Sequence, residues 1–91
     1  MEQENTIFTL KKSYPCHPKY IGQIRQEFQK IAEKYQIPMG HLFKLELVID
    51  EACMNAIDHG SALDKEKEFD FEIELTNKKI TILVKDYGGT I

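Results

Sequence analysis

The spacing of apolar residues changes period several times along this chain, and each change marks an element. Thr6-Ile7-Phe8-Thr9-Leu10 reads as a first or edge strand, and Lys11 to Pro18, punctuated by Pro15 and Pro18, as a connecting loop. From Lys19 to Tyr35 the apolar positions Ile21, Ile24, Phe28, Ile31 and Tyr35 recur at helical spacing, and Gln36-Ile37-Pro38 closes that helix. A second helix starts near Met39 to Leu42 and runs to Gly60. Its stripe comprises Leu42, Leu45, Val48, Ile49, Ala52, Cys53, Ala56 and Ile57. After a charged loop from Ser61 to Lys67 the period becomes two: Phe69, Phe71, Ile73 and Leu75 alternate with Asp70, Glu72 and Glu74. Thr76-Asn77-Lys78 turns the chain, and Ile80, Ile82 and Val84 continue as the antiparallel partner. The order β-α-α-β-β predicts an α+β two-layer sandwich, with two helices packed on one face of a small mixed sheet, as a single domain over residues 1–91.

Two polar intrusions stand out against this frame. Glu51 and Asn55 are four residues apart in the second helix, so they point the same way, with Asp58 three residues further and Gly60 as terminator. An acceptor-only carboxylate stacked on a neutral amide beside small residues suggests a site; the structural alternative is the solvated side of an ordinary amphipathic helix. The second intrusion ends the last strand, where Lys85 runs into Asp86-Tyr87-Gly88-Gly89. An acid at a strand end followed by glycines lets backbone approach a ligand while the carboxylate accepts hydrogen bonds. A turn uses the same residues.

Bulk properties narrow the classes. The chain has 91 residues, 42% of them hydrophobic, which suits one small globular domain. Twelve basic against fifteen acidic side chains give a net charge of −3 with the basic residues dispersed, which argues against direct nucleic-acid binding. No apolar run reaches a membrane span, and Met-Glu-Gln-Glu-Asn lacks the features of a signal peptide, so a cytoplasmic protein is expected. Of the two cysteines, Cys53 falls on the apolar side of the motif helix as a small buried hydrophobe, whereas Cys16-His17 lies between prolines. Cys16, His17, His41 and His59 lack zinc-ligand spacing.

The order of the features, a Glu-x-x-x-Asn helix, a hairpin, then Asp-x-Gly on a strand end, resembles the GHKL (Bergerat-fold) ATPase superfamily. Within it, Glu51-Ala52-Cys53-Met54-Asn55-Ala56-Ile57-Asp58-His59-Gly60 is similar to the N-box of bacterial anti-sigma-factor serine kinases, and Asp86-Tyr87-Gly88 to their first glycine box. The glycine-box match is looser, because Thr90 follows Gly89 where the family continues Asp-x-Gly-x-Gly. The resemblance implies ATP and Mg²⁺ as cofactors. Asn55 would give a neutral oxygen to the metal, and Glu51 would orient or deprotonate a substrate serine hydroxyl. Asp86 would accept from the adenine amino group, with Gly88 allowing close approach and His59 and Gly60 completing the nucleotide-facing set. On its residue type alone His59 reads first as a cation at a helix C-terminus.

The family's lid, second glycine box, further helix and strands have no counterpart here. The expectation is therefore an incomplete domain with weak or absent ATP binding and turnover. It would hold a sigma factor, phosphorylate an anti-anti-sigma (STAS-type) protein, and self-associate through uncovered sheet. Two alternatives stay open: a nucleotide-independent protein-binding module, and the ATP-binding part of a sensor histidine kinase.

Overall fold

The computed structural model describes residues 3–61 and 67–86. Strand β1 (Thr6–Pro15) leads into helices α1 (Lys19–Lys34) and α2 (Met39–Ser61), and strands β2 (Glu68–Thr76) and β3 (Ile80–Asp86) follow. The sheet order is β1-β2-β3. Both pairings are antiparallel, so the sheet is antiparallel where a mixed one was expected. The reason is the helix pair. The first helix carries the chain back along the sheet and the second returns it to the end where β1 stopped, so β2 sets out in the reverse direction. The two-layer α+β arrangement itself is the expected one.

The one element misread from sequence is β1. The segment expected to be loop from Lys11 continues as strand to Pro15, pairing Lys11 with Glu72, Lys12 with Phe71, Ser13 with Asp70 and Tyr14 with Phe69. Pro15 is tolerated because it ends an edge strand, where its missing N–H breaks little of the ladder. The next residue resumes the bonding, with Cys16 N–H donating to the Lys67 carbonyl at 2.9 Å. Phe8, Leu10, Lys12 and Tyr14 lie opposite Leu75, Ile73, Phe71 and Phe69, hence on the helix-facing side of the sheet. Lys12 on this face keeps its charge at the rim by reaching Glu27 of α1, Nζ to Oε1 3.1 Å.

Helix α1 lies over β1, joined by Tyr14 against Tyr20 and Phe8 against Tyr35 with ring centroids 6.2 and 5.5 Å apart. Pro18 stands at its N-cap position without a side-chain cap, and just before it His17 Nδ1 accepts from Lys19 N–H at 3.1 Å. Its end is turned by Gln36 at φ 55, with Ile37 N–H donating back to the Ala32 carbonyl at 2.9 Å. Helix α2 packs on α1, β2 and β3. The core between the layers is Ile24, Phe28 and Ile31 from α1, Ile49, Cys53, Ala56 and Ile57 from α2, and Tyr14, Phe69, Phe71 and Ile73 from the sheet.

Candidate nucleotide site at the carboxyl end of α2

The side chains that bury α2 leave the Glu51–Asn55 pair outside. At 100° per residue Ile49, Cys53, Ala56 and Ile57 define the face turned to the sheet, and all four are at most 3% exposed. Asp50 and Glu46 point toward α1: Arg25 donates through Nε to Asp50 Oδ1 at 2.7 Å and through Nη2 to Oδ2, and Gln29 donates to Glu46 at 3.4 Å. This two-toothed contact holds the Asp50 carboxyl below the usual carboxylate range, the hydrogen bond from Arg25 being the main cause. It also fixes the rotation of α2 about its axis.

Glu51 and Asn55 are exposed, and with Asp50 and Met54 they line an open depression of ≈330 Å³. Asn55 is rotated about 140° from Asp50 around the helix. That turns it, and Glu51 with it, away from the face packed on the sheet. Asp86 ends β3 opposite the fully buried Phe69, so it sits on the helix-facing side of the sheet. It also lies at the end of the sheet where α2 finishes, since β3 runs antiparallel to β2. The residues lining the Glu51–Asn55 depression do not include Asp86. Asp86 instead stands near the Cys16 thiol, which is pushed up first by burial and then by the Asp86 carboxylate. Gly88 lies outside the described residues, and α2 carries His59 and Gly60 at its last turn.

Three parts of this neighbourhood escape the sequence reading. The Arg25–Asp50 clamp joins residues 25 apart on different helices, and only the neighbouring acid before Glu51 hinted at it. Val48, assigned to the buried stripe, is 50% exposed. Phe43 and Leu47 are 79% and 56% exposed on the same side as Glu51, because α2 carries more apolar residues than one packed face can hold. Cys53, by contrast, is fully buried as expected, with its thiol pushed up to about 12 by burial and then by the Asp50 charge.

The donor set suits magnesium carried in by phosphates. Glu51 offers carboxylate oxygens and Asn55 an amide oxygen, the ligand atoms a hard cation takes. No helix among the described residues is long and apolar enough to cross a membrane.

A two-layer α+β sandwich with this exposed acid–amide pair on its second helix fits a nucleotide-binding ATPase domain. The family model described as "Histidine kinase-like ATPase domain" matches residues 14–91, and the chain belongs to that family. Among curated proteins it is similar to the serine-protein kinase RsbW of Bacillus licheniformis, 31% identical over 84% of this chain and 48% of that protein. It is likewise similar to the serine-protein kinase RsbW of Bacillus subtilis (strain 168), 25% identical over 96% of this chain and 54% of that protein. The chain thus spans about half the length of the relatives it matches.

Proposed function

We propose that this chain is the ATP-binding part of an anti-sigma-factor-type protein serine kinase. In this reading it is a cytoplasmic regulator of transcription that holds a sigma factor and phosphorylates a serine of an anti-anti-sigma partner. The observation that carries the proposal is that Glu51 and Asn55, one turn apart on α2, are both exposed and line one depression. Similarity to two serine-protein kinases supports the reaction type.

In this reading Mg·ATP supplies the transferred phosphoryl group and its charge neutralisation. Asn55 Oδ1 binds the cation without adding a negative charge beside the phosphates. Glu51, one turn away, accepts a hydrogen bond from the attacking hydroxyl and so aims it at the phosphorus. Asp86 orients the base by accepting from its amino group, and Gly88 admits the ring. Arg25, by fixing Asp50, keeps the helix rotated so that Glu51 faces the depression while Asp50 does not compete for the metal.

The test is calorimetric titration of the chain with ATP, with Mg²⁺ and with EDTA. Weak, Mg²⁺-dependent binding that is lost in Asn55→Ala and in Asp86→Asn is expected. Binding equal in all three proteins, or unchanged by EDTA, overturns the assignment. A second reading, a protein-binding module that needs no nucleotide, is favoured by the exposed Phe43, Leu47 and Val48 on α2. Under that reading the Asn55→Ala protein holds a sigma factor as tightly as the parent, with or without ATP.

A further inference from the structure

The opposite end of the molecule carries a second cleft, which the proposed kinase chemistry does not use. It opens between the turn joining α1 to α2 and the β2–β3 turn, and it encloses ≈540 Å³. Its floor is apolar, formed by Ile37, Leu45, Leu75 and Ile80 from both layers. Lys44 of α2 and Lys78 and Lys79 of the hairpin turn line it from the two sides, and among the described residues its lining holds no Asp or Glu. The amino end of α2, whose first turn carries no acid, also borders it, so the helix dipole adds to the positive potential. This is a local reversal of sign in a chain with net charge −3.

One carboxylate of the chain already uses this rim. Glu4 Oε2 accepts from Thr76 Oγ1 at 2.9 Å and lies 3.9 Å from Lys79 Nζ. The rim is therefore chemically matched to a carboxylate, and among the described residues Glu4 reaches it from the hairpin side. We infer that the cleft between the α1–α2 turn and the β2–β3 turn docks an acidic segment of a partner protein that carries a large apolar side chain.

The layout selects this occupant. A compact inorganic anion would leave the apolar floor unused. Cations on both layers with an apolar strip between them match a peptide in which carboxylates flank an apolar anchor. The volume is in the range of pockets that take a few side chains. The cleft lies at the far end of the sheet from Asp86, so its occupancy is separable from nucleotide binding.

The test uses fluorescence anisotropy of the whole chain with a fluorescein-labelled peptide, Glu-Glu-Leu-Phe-Glu-Glu. Saturable binding is expected, weakened at least about tenfold by Lys44→Glu combined with Lys78→Glu, both exposed positions. Circular dichroism of that double variant checks that it is folded. Lys19→Glu, at the other end of the molecule, should leave affinity unchanged. Replacing Leu-Phe in the peptide by Ser-Ser should weaken binding about tenfold, and Glu4→Gln should tighten it by removing the internal competitor. Equal binding by the double variant, by the Ser-Ser peptide, or by a Lys-Lys-Leu-Phe-Lys-Lys peptide overturns the inference. Displacement by phenylacetate at comparable affinity replaces the protein segment by a small carboxylic acid and overturns it as well.

Discussion

Ile49 and Val48 are neighbours on α2, both fit the apolar stripe read from sequence, and truncating each to Ala should have very unequal consequences. Ile49 is fully buried among Phe28, Cys53, Phe69 and Phe71, whereas Val48 is half exposed. Removing a buried Ile side chain to Ala costs about 2–5 kcal/mol in lost transfer energy and residual cavity. The better helix propensity of Ala returns roughly 0.5 kcal/mol, leaving a net loss of about 2–4 kcal/mol. A chain of 91 residues has on the order of 5–14 kcal/mol in total. At about 4–8 °C per kcal/mol, Ile49→Ala should lower Tm by at least 8 °C or so. For Val48→Ala the two methyl groups are worth about 1.6 kcal/mol when buried and about half that at this exposure. The helix-propensity gain of about 0.6 kcal/mol offsets most of it, so Tm should move by no more than about 2–4 °C. Thermal unfolding followed by circular dichroism measures both. Equal destabilisation would mean that α2 is rotated from the orientation described. Glu51 and Asn55 would then not share an exposed flank, and the site assignment would fall with the helix phase.

Other expectations follow from the same geometry. In a phosphoryl-transfer assay with γ-phosphate-labelled ATP and the anti-anti-sigma protein, Glu51→Gln should slow transfer by about 10²-fold or more while leaving Mg·ATP affinity within about twofold; equal rates would remove its orienting role. The Arg25 contact lowers the carboxyl of Asp50 in the folded state, so its stabilisation is present above the usual carboxylate pKa and is lost as pH falls through the lowered value. The Tm of Asp50→Asn should therefore lie below the parent's at neutral pH and converge with it in acid, once pH has fallen through the lowered value, and a gap constant with pH would contradict the ion pair. Cys53 should be unreactive toward Ellman's reagent until the chain unfolds. Because its thiol is raised from 9.0 to about 12, the stability it contributes should decline as pH rises from 9.0 toward 12, and rapid labelling of the native thiol would show that α2 opens. A Cβ added at Gly22, within α1, meets nothing within 4 Å, so Gly22→Ala should raise stability by about 0.5–1 kcal/mol in urea unfolding.

Which of these features could be read in the sequence depended on whether a single period governed the segment. The alternation from Phe69 to Leu75 and from Ile80 to Val84 placed the hairpin correctly, because one face is buried and the other polar. The Ile24, Phe28 and Ile31 spacing located α1 for the same reason. The second half of β1 was illegible because Lys12 occupies an inward position, satisfied by Glu27 across the layer, and because two prolines suggested a loop. The alternation of Phe8, Leu10 and Tyr14 was the signal that remained. In α2 the spacing of Glu51 and Asn55 was visible, but the exposed Phe43, Leu47 and Val48 blurred the boundary of the buried face. The Arg25–Asp50 contact and the lysine-lined cleft join residues distant in sequence, so neither had a local signature.

The pairing of β1 with β2 has a consequence for how the chain is made. Thr6 aligns with Thr76 and Tyr14 with Phe69, so β1 finds its hydrogen-bonding partner only after both helices have been synthesised. The two helices need only local contacts to begin forming, whereas closure of the sheet must wait for a loop of some sixty residues to bring its ends together. During that interval β1, with Phe8, Leu10 and Tyr14 on one side, is an unpaired apolar strand. Lys11 and Lys12 at its centre then act as charged guards against pairing with another nascent chain, before Glu72 and Glu27 engage them in the finished fold.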